Sequence, residues 1–140
     1  MAEGDLTFYN KAKENIVNGE IDLTDDTIKV ALMTGHTPNF DTHDTWSDVS
    51  GDEISDSSYG GAVTLAGKSL TMNSSSDRIY FDANDAVYTT LDAGTPSHAI
   101  AYDDTASNDL LICCWELGST ASNGSDYTLQ WPADGLFYVD

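Results

Sequence analysis

Basic residues are scarce: five Lys and Arg stand against 24 Asp and Glu in 140 residues, a formal net charge of −19. A chain so short of cations is repelled by phosphate backbones and by anionic lipid, so nucleic acid and membrane surfaces are not expected partners. Long apolar runs are missing too. No stretch approaches the roughly 20 residues of a membrane span, and the chain does not open with a basic segment followed by an apolar one, so a soluble, non-secreted protein is expected. The only cysteines, Cys113 and Cys114, are adjacent, and neighbours on a strand point to opposite faces. Two reduced thiols are therefore expected, not a disulfide framework or a metal site.

Histidine is as sparse. His36, His43 and His98 are the only three, and none lies at a ligand spacing from another His or Cys. His36 and His43, beside Asp41 and Asp44, read as exposed loop residues, with a weak divalent-ion site there as the alternative, and His98 reads as a sheet-surface or edge residue opening a strand. No Gly-x-Ser-x-Gly elbow, Walker loop, Gly-x-Gly-x-x-Gly or His-Glu-x-x-His occurs. No catalytic residue, metal ligand or cofactor is assigned, and a non-enzymatic protein is expected.

Calcium is the ion whose oxygen-ligand chemistry the composition would best suit. Asp82-Ala83-Asn84-Asp85 begins like an oxygen-rich loop, but Ala86 follows at the next alternate position and no Gly makes the sharp turn, so the EF-hand pattern fails. Asp25-Asp26, and Asp103-Asp104 with Asn108-Asp109, read as turn formers bonding nearby amides. With 24 acids, any two fall near each other, so paired carboxylates carry no weight as a glycosidase signal. Asn73-Ser74-Ser75 and Asn123-Gly124-Ser125 match the glycosylation acceptor pattern, which short Ser-rich hairpins also generate by chance.

What is present suffices for a core. Hydrophobic residues make up 40% of the chain, with seven Tyr, four Phe and three Trp, so one folded domain over residues 1–140 is expected. Nineteen of the 24 acids are Asp, and an Asp-rich, Lys-poor surface resembles that of proteins from extreme halophiles. Repulsion among these charges is on the order of 10 kcal/mol at 0.01 M salt and shrinks steeply as the Debye length shortens.

Patterning then sets the elements. Leu6, Phe8, Tyr9, Ala12, Ile16 and Val17 fall on one helical face and Lys11, Lys13 and Glu14 on the other, which predicts a helix over 6–18. Asp5 or Thr7 would cap it and Asn18-Gly19 would stop it. From Thr27 to Met33 the period is two, with Ile28, Val30 and Leu32 inward. Residues 34–61 form a long polar excursion carrying Phe40, Trp46 and Val49. Short strands are predicted at 62–65, 68–72, 78–81, 86–91, 97–102, 110–117, 127–131 and 136–139, separated by Gly, Asn, Asp and Ser turns. The expected fold is mainly β, an antiparallel β-sandwich or barrel-like domain with one short N-terminal helix.

The run Phe8-Tyr9-Asn10-Lys11-Ala12, the stop Asn18-Gly19 and the strand Asp26-Thr27-Ile28-Lys29-Val30-Ala31-Leu32 resemble a group of small virion proteins of tailed phages and related archaeal viruses. Further matches lie in order downstream, at Ser47-Asp48-Val49, Gly60-Gly61-Ala62, Phe81-Asp82-Ala83, Ile100-Ala101-Tyr102-Asp103-Asp104 and Gln130-Trp131 with Gly135-Leu136-Phe137. The resemblance implies a structural component of a virus particle, made in the host cytoplasm, with no catalytic residues to carry over. The acidity departs from the group's pattern and fits a virus of a halophilic host.

Two roles follow from the resemblance. One is a capsid decoration or head-surface protein that self-associates and contacts the major capsid protein. The other is a tail or head-fibre component that contacts the host surface. Both would use aromatic anchors, and the expected interface residues are Phe40, Trp46 and Tyr59 in the excursion with Phe8 and Tyr9 at the helix start. Trp46, Tyr59 and Tyr88 are the expected stacking platforms for sugars in the fibre role.

Overall fold

A computed structural model describes residues 5–105 and 109–140, and Asn108 of the expected Asp103–Asp109 turn lies outside the described residues. Chain order runs β1 (Leu6–Phe8), α1 (Asn10–Val17), β2 (Ile28–Met33), β3 (Val63–Thr64), β4 (Ser69–Asn73) and β5 (Arg78–Asp82). It continues through β6 (Ala86–Tyr88), β7 (His98–Asp103), β8 (Leu110–Glu116), β9 (Tyr127–Leu129) and β10 (Phe137–Val139). Two 3-10 turns, Trp46–Asp48 and Ser50–Asp52, sit in the excursion. Strand makes up 35% of the described residues and helix 11%, so the class is mainly β with one short helix near the N-terminus, as expected.

Three antiparallel sheets carry the architecture: five strands in the order β1-β8-β7-β2-β3, three in the order β10-β5-β4, and the pair β6-β9. Alternation assigns the faces of the large sheet. Ile28, Val30 and Leu32 of β2 with Ala99 and Ala101 of β7 point to one side, where Phe81, Tyr88, Leu129, Trp131 and Phe137 cover them. Ala31, Met33, Ile100 and Tyr102 point to the other, under Tyr9, Ala12, Val49, Phe40 and Trp46. With both faces covered, β2, β7 and β8 are almost wholly buried. The result is a sandwich-like stack, and the Tyr88 hydroxyl ties its layers by donating to the Val30 carbonyl at 2.6 Å.

One irregularity re-aims β8. Ala101 pairs with Cys113 but Tyr102 pairs with Leu111, leaving Ile112 as an extra, bulged residue. The bulge puts Ile112 and Cys113 on the same face and sends Cys114 to the other. Both thiols are free and buried, as the alternation of neighbouring side chains predicts. Burial pushes the Cys114 thiol up to about 12.

The N-terminus corrects one expectation. The predicted helix over 6–18 begins only at Asn10, because Leu6, Thr7 and Phe8 instead pair with Trp115, Cys114 and Cys113 as an edge strand. Leu6 and Phe8 fit both a helical and an alternating pattern, and the backbone hydrogen bonds offered by β8 decide between them. Neither Asp5 nor Thr7 is the cap. Tyr9, extended at φ −67° and ψ 141°, holds that position without a side-chain bond. The end is as expected: Gly19 takes φ +83° just past Asn18, the left-handed turn that favours glycine.

Candidate functional site

The long excursion is stitched to its own domain. The Ile54 N–H donates to the Leu32 carbonyl at 3.0 Å, Trp46 N–H to Asp109 at 2.8 Å and Leu111 N–H to Asp44 at 3.0 Å. Thr45 and Asp48 form a reciprocal capping box at its first 3-10 turn. Its aromatic side chains turn inward as well. Phe40 packs on Tyr9 with ring centroids 5.1 Å apart, and Trp46 stacks on Tyr102 at 4.4 Å with 15° between planes. The Tyr59 hydroxyl accepts from Leu32 N–H at 3.1 Å and donates to Glu53 Oε1 at 3.0 Å.

The five expected interface residues are therefore engaged within the chain. Tyr9 is fully buried and has no surface to offer. Phe8, Phe40, Trp46 and Tyr59 are half-buried against the core clusters, Phe8 edge-on to Phe137 at 4.9 Å. Tyr88, expected as an exposed stacking platform, is buried. Burial drives the phenols of Tyr9, Tyr59 and Tyr88 far above their ordinary range and lifts Glu53, whose bond from Tyr59 opposes the shift.

The histidines assemble in a way their sequence positions do not suggest. His36 is buried rather than loop-exposed, its side chain 1% accessible, with Nδ1 2.8 Å from Asp52 Oδ2. The His98 ring lies 5.4 Å from it and the His43 ring 6.1 Å. Nδ1 of His43 accepts from Asn39 N–H and Nδ1 of His98 meets Ser97 Oγ, while His36 Nε2 is buried without a partner. Desolvation, then the neighbouring His36, hold the His98 imidazole below its usual pKa, with Glu116 opposing. Among the described residues no group of three or more His, Cys, Asp or Glu is placed to hold a metal ion.

The oxygen-rich segments accept hydrogen bonds and ion pairs from within the chain. Asp82 Oδ1 accepts from Ala83 N–H, and Asp85 Oδ1 from Trp131 N–H, while Trp131 Nε1 donates to the Asn84 carbonyl. Asp22 accepts from Thr24 and Asp25 amides, Asp103 from Thr105 N–H, and Asp104 pairs with Lys29 at 2.9 Å. Asn73 and Asn123 are exposed and accept from turn amides two residues on.

The feature that remains unspent is the β10-β5-β4 sheet. Register puts Leu70, Phe81 and Phe137 in one row and Met72, Ile79 and Val139 in the next on the same face. The first row reaches the core through Phe81 and Phe137, but Leu70 at its end is 50% exposed, and in the next row Met72 is 66% and Val139 48% exposed. Val139 also lines a groove of about 220 Å³ with Val17, Ile16 and Phe8, and Val17 is 89% exposed. On the opposite face Arg78 lies 4.0 Å over the Tyr138 ring, and Tyr138 leans on Tyr80 at 5.7 Å. Sequence alternation placed these strands correctly but could not tell which of their apolar residues lie past the edge of the body.

Charge separates this sheet from the rest. Over residues 67–82, which hold β4 and β5, Lys68 and Arg78 balance Asp77 and Asp82, a net of zero, so the remainder of the chain carries the whole −19, and Arg78 pairs with Asp140 just past β10. The arrangement offers apolar contact, unpaired strand backbone and one exposed cation-aromatic pair, which is the chemistry of a docking surface. No protein-family model matches the chain, and neither a curated protein nor a solved structure is found to be similar to it.

Proposed function

We propose that this protein is a structural component of a virus particle, a capsid decoration or head-surface protein of a tailed virus with a halophilic host. The observation that carries the reading is the exposed apolar, acid-poor β10-β5-β4 sheet on an otherwise densely acidic body. A surface of that kind works by contact with another protein, and the virion setting is supplied by the resemblance of Tyr9-Asn10-Lys11-Ala12 through Leu32 to small virion proteins. In molar salt the Debye length falls to about 3 Å, so the acidic body ceases to repel a shell of like charge and the apolar face decides the contact.

A tail or head-fibre role is the second reading, favoured by the Arg78, Tyr80 and Tyr138 face, where two tilted rings and a guanidinium present a platform for a sugar. Electron cryo-microscopy of particles, with an antibody against this chain as label, tests both. Density on the head shell supports decoration, density on the tail supports the fibre role, and absence from purified particles refutes the virion reading altogether.

A further inference from the structure

We infer that two copies of this chain join through strand β4, pairing antiparallel across a two-fold axis at Thr71 to make one continuous six-stranded sheet. The inference builds on the reading of the β10-β5-β4 sheet as a contact surface, but it needs no virion component and is tested without one.

Four features of β4 point to a second copy as the occupant. It ends the order β10-β5-β4, so one edge of its backbone is unpaired, and at five residues it is the longest edge strand among the described residues, the others having three or fewer. Every residue of it is exposed. Folded proteins blunt such an edge with a charge, a proline or a bulge, and none occurs from Ser69 to Ser76, where β4 pairs with β5 in unbroken register. An unprotected edge of this length is a template for pairing.

Self-complementarity and charge then select the partner. Ser69-Leu70-Thr71-Met72-Asn73 reads polar-apolar-polar-apolar-polar, so a two-fold at Thr71 sets Leu70 opposite the second copy's Met72, Met72 opposite Leu70, and Thr71 opposite Thr71. The apolar pairs fall on the face that already carries Ile79 and Val139, and the hydroxyls meet on the other, where threonine pairs bond across strands. The interface is isologous and closes at two. Like-charged copies of a −19 protein repel wherever carboxylates meet, and the eight residues Ser69 to Ser76 hold no charge. The seam itself holds no carboxylate, the acids beside it being Asp82 and Asp134, which line a groove with Ser69 and Thr71 on the hydroxyl face.

The test uses the purified full chain in 2 M salt. Light scattering after size exclusion is expected to give twice the 15.1 kDa chain mass, and Met72→Lys, which places an ammonium on the pairing face, is expected to return the chain mass with an unchanged circular dichroism spectrum. Directly opposed residues in an antiparallel pair lie about 4.5–5.5 Å apart at Cα, within disulfide reach. Since Cys113 and Cys114 are buried, Thr71→Cys is expected to give a covalent dimer on mild oxidation while Ser75→Cys, at the hairpin tip, gives little. A monomer at all concentrations overturns the inference. So does a dimer that survives Met72→Lys and that Thr71→Cys crosslinks no better than Ser75→Cys. A dimer in solution with the chain absent from particles leaves the inference standing and removes only the virion reading.

Discussion

Replacing Gly135 with alanine tests how the exposed sheet is fastened to the body. Gly135 has φ +127°, a conformation that L side chains rarely adopt, and a Cβ there would lie 2.3 Å from the Phe81 carbonyl oxygen and 2.9 Å from its carbon. Those are backbone atoms of β5, and the same carbonyl accepts from Leu136 N–H at 2.8 Å. The clash therefore cannot be relieved by a rotamer change and must push β5 and β10 apart. Backbone strain of this kind costs about 1–3 kcal/mol and overpacking against rigid neighbours a further ~1–3 kcal/mol, so a loss of about 2–6 kcal/mol is expected. Gly94→Ala is the control, since Gly94 has φ +75° with nothing within 4 Å of a built Cβ; it carries the strain without the clash. Urea unfolding in 1 M NaCl, followed by tryptophan fluorescence, measures both. A Gly135→Ala loss no larger than that of Gly94→Ala would refute the reasoning and mean that β10 is not packed on β5 as described.

Trp46→Ala, which removes a ring stacked on Tyr102, is expected to destabilise the isolated chain by about 2 kcal/mol, and urea unfolding unchanged by it would show that the excursion does not pack on the sheet. Melting temperature should rise from 0.01 M to 1 M NaCl as 19 net charges are screened and then flatten; a salt-independent value would refute the repulsion estimate. The pKa of His98 is lowered from 6.5 in the fold, so the unfolded chain takes up the proton first and stability falls as pH drops below about 6.5. In His98→Gln that component of the pH dependence should vanish, while wild type and variant keep a constant difference above pH 7.5; parallel curves down to pH 5 would show that His98 is not the group responsible.

Local signals carried most of the strands. Alternation is written into adjacent residues, so Ile28–Met33, Arg78–Asp82 and Leu110–Glu116 emerge within one or two residues of their predicted limits. What local pattern left out depends on residues far apart in sequence. Leu6-Thr7-Phe8 became strand because β8, more than a hundred residues later, offered it a ladder. His36 and His98 meet because the segment after β2 and the start of β7 lie side by side, Met33 opposite His98, and no spacing between three histidines could reveal that. Phe40 and Trp46 read as anchors for a neighbour because a long polar excursion gives no sign of what its aromatic residues cover. Their partners, Tyr9 and Tyr102, come from opposite ends of the chain.

The carboxylates do more than charge the surface. Asp22, Asp48 and Asp56 each accept two backbone amides or an amide and a hydroxyl in their own turns, and those bonds hold all three below the usual carboxylate range. Aspartate suits this use better than glutamate because its shorter side chain bonds amides within its own turn, two to four residues away. The preference for Asp among the acids is then partly a preference for well-made turns, and the ten short strands among the described residues need many of them. The bonded form is the ionised one, so stability from these three groups is present above their unfolded pKa of 3.8 and is lost as pH falls through the lower folded values. Acidity thus stabilises the connections while it repels other acidic surfaces, and the exposed, acid-free strand β4 is where those opposing demands leave room for contact.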